Sequence, residues 1–294
     1  MHIGRSKKYN LFYMNRDEVA EWVKKTDIVL VPLGSLEQHG PACPLSVDSI
    51  AALLTVEKAS EKADVPHTPL VWTGWSPYHL VTPDFAAGTI SLRFGTAVNL
   101  LYDIGRCLIH HGFNKIVYVS GHTGNIFPAD IAMRLLRYKT HAFVALFRAD
   151  SEVFMRTPGI RDLLENPPEE YPQCHASEAE SSAVLAYDES LCKWDKQRIS
   201  PPHRPLWLPD TFKAHGGSPF EIEFKDYGTI IRLPLDHNEI SDTGIIGNPM
   251  RATKEKGEKI YDKLASILAE FIEEIRKIKV EVINRDIRSD RDFI

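Results

Sequence analysis

Glu37, His39 and Asp48 are three metal-competent side chains within one short segment, Val31-Pro-Leu-Gly-Ser-Leu-Glu-Gln-His-Gly40 and its continuation Pro44-Leu-Ser-Val-Asp48. A carboxylate and an imidazole two residues apart on extended chain point to the same side. Asp48, at the start of the next predicted helix, can close on them, and the set suits a divalent cation. Two further loops carry related chemistry. In Gly121-His-Thr-Gly-Asn125 the glycines permit a tight turn from which His122 projects. In His175-Ala-Ser-Glu-Ala-Glu-Ser-Ser182 one imidazole sits beside the carboxylates of Glu178 and Glu180. On extended chain those two glutamates share a face; on a helix they do not. Each feature has an ordinary alternative: Asn125 as the cap of the following helix, His122 as a satisfied buried donor, Glu-Ala-Glu as a solvated helix start. Their joint placement behind three strand-like runs carries the argument.

The elements that must position these loops are legible as periodicity. Apolar runs predict strands at 28–33, 68–73, 115–120 and 141–147; helical spacing predicts helices at 48–63, 96–111, 126–138 and 253–279. Asp48 is placed to cap the first helix, and Gly112 lies just past the end of the second. The β-branched run Lys115-Ile-Val-Tyr-Val-Ser120 predicts a strand buried on both faces. This alternation implies an α/β fold with a mostly parallel sheet and helices on both sides. Ligands collect at the carboxyl ends of such strands. Residues 157–174 and 195–220, rich in Pro, Gly and charge, read as long surface loops or insertions within a single domain spanning 1–294. The charged tail from Asn284 is expected to be mobile or to dock on a neighbour.

Bulk properties narrow the function classes. The chain has 294 residues, 43% hydrophobic and 26% charged, as expected of a globular protein with a sizeable core. Its net charge of −5 argues against a nucleic-acid or anionic-membrane surface. No signal peptide and no membrane span are expected. Cys43, Cys107, Cys174 and Cys192 form no Cys-x-x-Cys pair, so reduced thiols in a cytoplasmic protein are expected.

The motifs together resemble the creatininase (creatinine amidohydrolase) family. The resemblance is carried by Gly34-Ser-x-Glu-Gln-His-Gly-Pro with Asp48, by Ser120-Gly-His-Thr-Gly-Asn125 and by His175-Ala-Ser-Glu-Ala-Glu-Ser-Ser182. Gly74-Trp-Ser-Pro-Tyr-His79, Gly88-Thr-Ile-Ser-Leu-Arg93 and Gly244-Ile-Ile-Gly-Asn-Pro249 add to it. It implies a three-layer α/β/α sandwich, two divalent ions (Zn, Mn or Fe), and a homo-oligomer, often a hexamer. Position by position it makes Glu37, His39, Asp48 and His122 metal ligands, with Asp48 bridging. Creatininase itself has a Glu where this chain has Gly124, so Glu180 is expected to complete the shell, with Glu178 in reserve and grouped with the catalytic residues. His175 is expected to be a proton donor beside the metals, with Trp75 and His79 touching a small-molecule substrate. Asp84 and Asp130 are candidates to accept the second N–H of ligating imidazoles. Ser177 departs from the Gly common in the third motif, and Ala87-Gly88-Thr89 replaces the usual Pro-Gly-Thr.

The implied reaction is C–N hydrolysis of a small cyclic amide or amide-like substrate by a metal-activated hydroxide. The runner-up is C–C ring opening of a cyclic diketone such as a diketo-inositol. Rivals outside this class are a thiol hydrolase using Cys174, a non-enzymatic binding protein, and nucleotide binding at Gly121-His-Thr-Gly, which lacks the Lys of a phosphate cradle.

Overall fold

The computed structural model describes residues 5–167, 172–215, 218–225, 227–228 and 230–289. In chain order the main elements are α1 (Arg16–Lys25), β1 (Ile28–Leu33), α2 (Val47–Ala63), α3 (Phe94–His111), β2 (Lys115–Ser120), α4 (Ile126–Thr140), β3 (Phe143–Arg148), α5 (Ser151–Phe154), α6 (Glu178–Asp188), β4 (Phe212–His215), β5 (Ser218–Phe224), β6 (Ile230–Arg232) and α7 (Lys254–Arg276). The two unbroken apolar runs become β1 and β2, buried along their whole length. They pair in parallel, Ile28 opposite Lys115 through Leu33 opposite Ser120. β3 continues the sheet in parallel on the far side of β2.

Side-chain alternation sorts the layers. Ile28, Leu30, Val117 and Val119 face one way, into a core shared with α2, α6 and α7. Val29, Val31, Ile116 and Tyr118 face the other, onto α3 and α4. The result is the expected α/β/α sandwich. Helix α7 shows why periodicity was a good guide: Ile260, Leu264, Leu268, Ile272 and Ile275 form its buried stripe. Burying each such side chain contributes about 1.5–3 kcal/mol. No helix among the described residues is long and apolar enough to cross a membrane.

Four expectations change. Residues 67–71 run alongside β1 but form only isolated parallel bridges, Leu30 with His67 and Leu33 with Val71. Pro66 and Pro69 lack the N–H that a regular ladder needs. Asp48 does not cap α2; Ser46 precedes the helix and Asp48 lies inside its first turn. Asn125 does not cap α4 with its side chain, which instead donates to the Gly34 carbonyl at 2.9 Å and accepts from the Trp75 amide at 3.2 Å. Finally, the supposed loop 195–220 ends in the first strands of a small antiparallel sheet, β4-β5-β6. The tail to residue 289 docks on the chain's own α3 side: Arg285 donates to the Ile109 carbonyl at 2.6 Å, and Arg106 to that of Asn284 at 3.3 Å. Residues 290–294 lie outside the described residues.

Candidate metal centre

The carboxyl ends of β1 and β2 deliver Glu37 and His39 from one loop and His122 from the next, while the first turns of α2 and α6 supply Asp48 and Glu180. All five are buried. His122 Nδ1 lies 3.3 Å from Glu37 Oε2 and 3.2 Å from Asp48 Oδ2. His39 Nε2 lies 3.5 Å from Asp48 Oδ1 and 3.7 Å from Glu180 Oε2. These contacts form two triads, Glu37/Asp48/His122 and His39/Asp48/Glu180, each with its ligand atoms within 4.8 Å of one another. Asp48 belongs to both.

The donor set fits divalent cations on two counts. His39 Nε2 and Asp48 Oδ2 are buried without a hydrogen-bond partner, a costly state for groups that nothing else satisfies. The other nitrogens are already committed: His39 Nδ1 is 3.1 Å from the Glu37 carbonyl and His122 Nε2 is 3.1 Å from that of Trp75. A carbonyl only accepts, so in the neutral rings that a cation would select these bonds leave the lone pairs on His39 Nε2 and His122 Nδ1, the atoms that face the carboxylates. The outer acceptors are therefore main-chain oxygens. Asp84 is exposed, and Asp130 pairs with Arg134 along α4 at 2.8 Å, so neither takes that role.

The electrostatics agree. Burial alone would lower the His39 pKa, but Asp48, Glu180 and Glu37 draw it up to about 9. His122 is likewise raised, with Glu37 and Asp48 overcoming burial. Burial would raise Glu37, yet His122 and His79 hold it well below the usual carboxylate range. Glu180 rises to about 7, through burial first; His39 counters this, while Asp48 adds to it. Three buried carboxylates in one small space create a negative potential that calls for positive charge.

Helix α6 separates the two glutamates of the third motif. Successive residues on a helix turn by about 100°, so Glu178 and Glu180 face nearly opposite ways. Glu180 accepts from the Ala176 amide at 2.6 Å and reaches His39. Glu178 points elsewhere: it pairs with Lys256 and accepts from the amides of Glu165 at 3.0 Å and Asn166 at 3.1 Å. The structure thus does not bring Glu178 into the cluster. Gly124 packs against the Trp75 carbonyl and the His122 ring. A Cβ there would meet the Trp75 carbonyl at 2.2 Å and His122 Nε2 at 2.4 Å, so no side chain fits.

His175, Trp75 and His79 line the same cavity, about 460 Å³ in volume, with Tyr78, Phe127 and His237. The Trp75 ring stands edge-on to Phe94 and Phe127 at 5.5 and 5.6 Å. His175 stacks on His39 at 3.9 Å, and its pKa is driven well down by burial and by neighbouring imidazoles. His79 Nε2 lies 3.1 Å from Glu37 Oε1, so His79 touches the carboxylate cluster as well as the pocket. The Cys174 thiol is pushed well up by burial and by Glu152, the reverse of what a thiolate nucleophile requires. Sequence reasoning missed His237 and Tyr78. Tyr78 adjoins His79 and could have been found; His237, a lone histidine opening a short 3-10 helix, offered no signal.

Residues 13–272 match the family described as creatinine amidohydrolase (creatininase). A 3-dehydro-scyllo-inosose hydrolase from Thermotoga maritima is 24% identical over 268 residues, covering 89% of this chain and 82% of that one. A creatinine amidohydrolase from Pseudomonas putida is 25% identical over 262 residues, covering 84% and 89%. A solved structure described as creatininase Mn superposes with a TM-score of 0.68 at 23% identity, covering 92% of this chain and all of that one. The chain belongs to the creatininase family of metal-dependent hydrolases.

Proposed function

We propose that this protein hydrolyses a C–N bond in a small cyclic amide or amide-like compound, using a pair of divalent ions (Zn, Mn or Fe) held by Glu37, His39, Asp48, His122 and Glu180. The observation that carries the reading is the pair of buried triads sharing Asp48, with unpartnered atoms on His39 and Asp48. When bound, the ions supply an acidified water and a Lewis acid for the substrate carbonyl. The chain's own residues do the rest. His175 donates its Nε2–H to the Gln38 carbonyl at 2.6 Å, so in its neutral form it accepts a proton first and passes it on second. This modifies the expectation of a simple proton donor. Trp75, Tyr78 and Phe127 offer flat faces for a ring and shield the reacting centre from water. Glu178, in this reading, is a structural tie rather than a catalytic group.

Cyclic amides are ranked ahead of the polyol-like diketo-inositols because Trp75, Pro77, Phe127, Leu233, Pro234 and Leu235 give the cavity a largely apolar wall, although Thr123, Glu152, Arg232, Asp236 and His237 also line it and offer hydrogen-bonding groups. We further propose a cytoplasmic homo-oligomer, a hexamer by family resemblance, in which residues 1–294 act as one hydrolase domain. The test is turnover by metal-reconstituted protein of creatinine, hydantoin-like amides, formamides and keto-inositols. Release of a ring-opened product with a new carboxylate and a new amino-type nitrogen, or of formate and amine from a formamide, supports the reading. Activity confined to keto-inositols overturns it.

A further inference from the structure

We infer that Gln38, set between the ligands Glu37 and His39, is a positioning residue that fixes where the protons sit on His79, His175 and His237. The inference rests on the metal-centre reading above for its consequence, though not for its geometry. All four residues are buried. The orientation of the Gln38 amide is decided by the main chain. Its Oε1 lies 3.0 Å from the Gly40 N–H, which can only donate, so the other end is the NH2 group. That Nε2 lies 3.3 Å from His79 Nδ1 and 3.3 Å from His237 Nδ1. Two N–H bonds therefore meet two ring nitrogens, and both nitrogens must be bare acceptors. The proton on each ring goes to Nε2.

For His79 this places an N–H 3.1 Å from Glu37 Oε1, so the ring donates to a ligand carboxylate. The other carboxylate oxygen, Oε2, faces His122 and accepts from Ser35 Oγ at 2.7 Å. Each oxygen of Glu37 thus has a defined role. The Gln38 main-chain carbonyl makes the third assignment: it accepts from His175 Nε2 at 2.6 Å, leaving Nδ1 bare. Two features hold Gln38 still. Its own N–H donates to Thr89 Oγ1 at 3.0 Å. Gly244, at φ +76°, lies so close that a Cβ there would meet the Gln38 Oε1 at 2.0 Å. The three rings lie 4.3–4.7 Å apart between centroids, and their nitrogens are spaced as a cation site would require. The Gln38 amide gives this cluster a different meaning, because it already fills the Nδ1 lone pairs of two of the three.

The deciding measurement is 15N NMR of histidine-labelled, zinc-loaded protein, which distinguishes Nδ1–H from Nε2–H rings. His79, His175 and His237 should all report protonated Nε2 and bare Nδ1. In Gln38→Met, which keeps side-chain length but has no amide, His237 should lose this single-tautomer signature, while His79, whose Nε2–H still donates to Glu37, should keep it. His175, tied to the main-chain carbonyl, should keep it. With whichever panel substrate is turned over, kcat should fall about tenfold or more while KM and zinc content hold. An Nδ1–H form at His79 or His237 in the unmodified protein overturns the inference even if the variant does not fold. So does an unchanged His237 tautomer in the variant, or zinc loss from it. A failure of the C–N reading would leave the spectra as stated, so the two outcomes are separable.

Discussion

Removing the charge of Lys256 separates the roles of the two glutamates on α6. Lys256 is 8% exposed; its ammonium pairs with the fully buried Glu178, with Glu165 at 2.8 Å, and donates to the Arg251 carbonyl at 2.7 Å. Lys256→Met leaves the Glu178 carboxylate buried with only amide donors. Breaking a buried pair on one side costs about 3–5 kcal/mol. Unfolding entropy of about 2.1 cal/mol/K per residue gives about 0.6 kcal/mol/K for 294 residues. The melting temperature should therefore fall by about 5–8 °C. Glu178→Gln combined with Lys256→Met, which removes both charges, should recover most of that loss. Metal content should stay at the unmodified level in both variants, because Glu178 lies outside the two triads. Glu180→Gln should instead lose metal. Circular-dichroism melts of metal-loaded protein and elemental analysis read both quantities. A Lys256→Met melt within about 1 °C of the original, or metal loss from it, would refute the reasoning.

Other expectations follow from single positions. Asp48→Ala should abolish metal retention and hydrolysis together, since Asp48 serves both triads; near-normal metal content and turnover would exclude the bridging role. Gly124→Glu, which imitates the creatininase ligand, should not act as a replacement ligand in a Glu180→Gln background, because its Cβ collides with the Trp75 carbonyl. Restored metal binding in that double variant would show that the collision is relieved. His67 is buried, and burial holds its pKa near 4 against an ordinary 6.5. Between those values the unfolded chain binds the extra proton, so stability rises with pH through the window and is lost as pH falls from 6.5 toward 4. The gap between those two values is worth about 3 kcal/mol. Urea unfolding at pH 7 and pH 4 should show a flatter pH dependence for His67→Asn, and equal slopes would remove His67 from the account.

Sequence periodicity carried the sheet and its helices because each of those elements buries a regular face. Ile28–Leu33 and Lys115–Ser120 are apolar at successive positions since both faces of the sheet are covered, and the α7 stripe follows the helical repeat. Glu37, His39 and His122 were legible for a related reason: strand ends deliver them, and strand ends are readable, while Asp48 was legible at the start of the helix that follows. What periodicity could not convey was direction. Asp48 reads as a helix cap but turns its carboxylate inward, and Glu178 and Glu180 stand two residues apart with opposite duties. Those choices depend on which groups arrive from elsewhere in the chain, Lys256 from α7 and His39 from the β1 loop. Only the folded chain brings those distant groups within hydrogen-bonding range, so tertiary contact decided the role of each carboxylate.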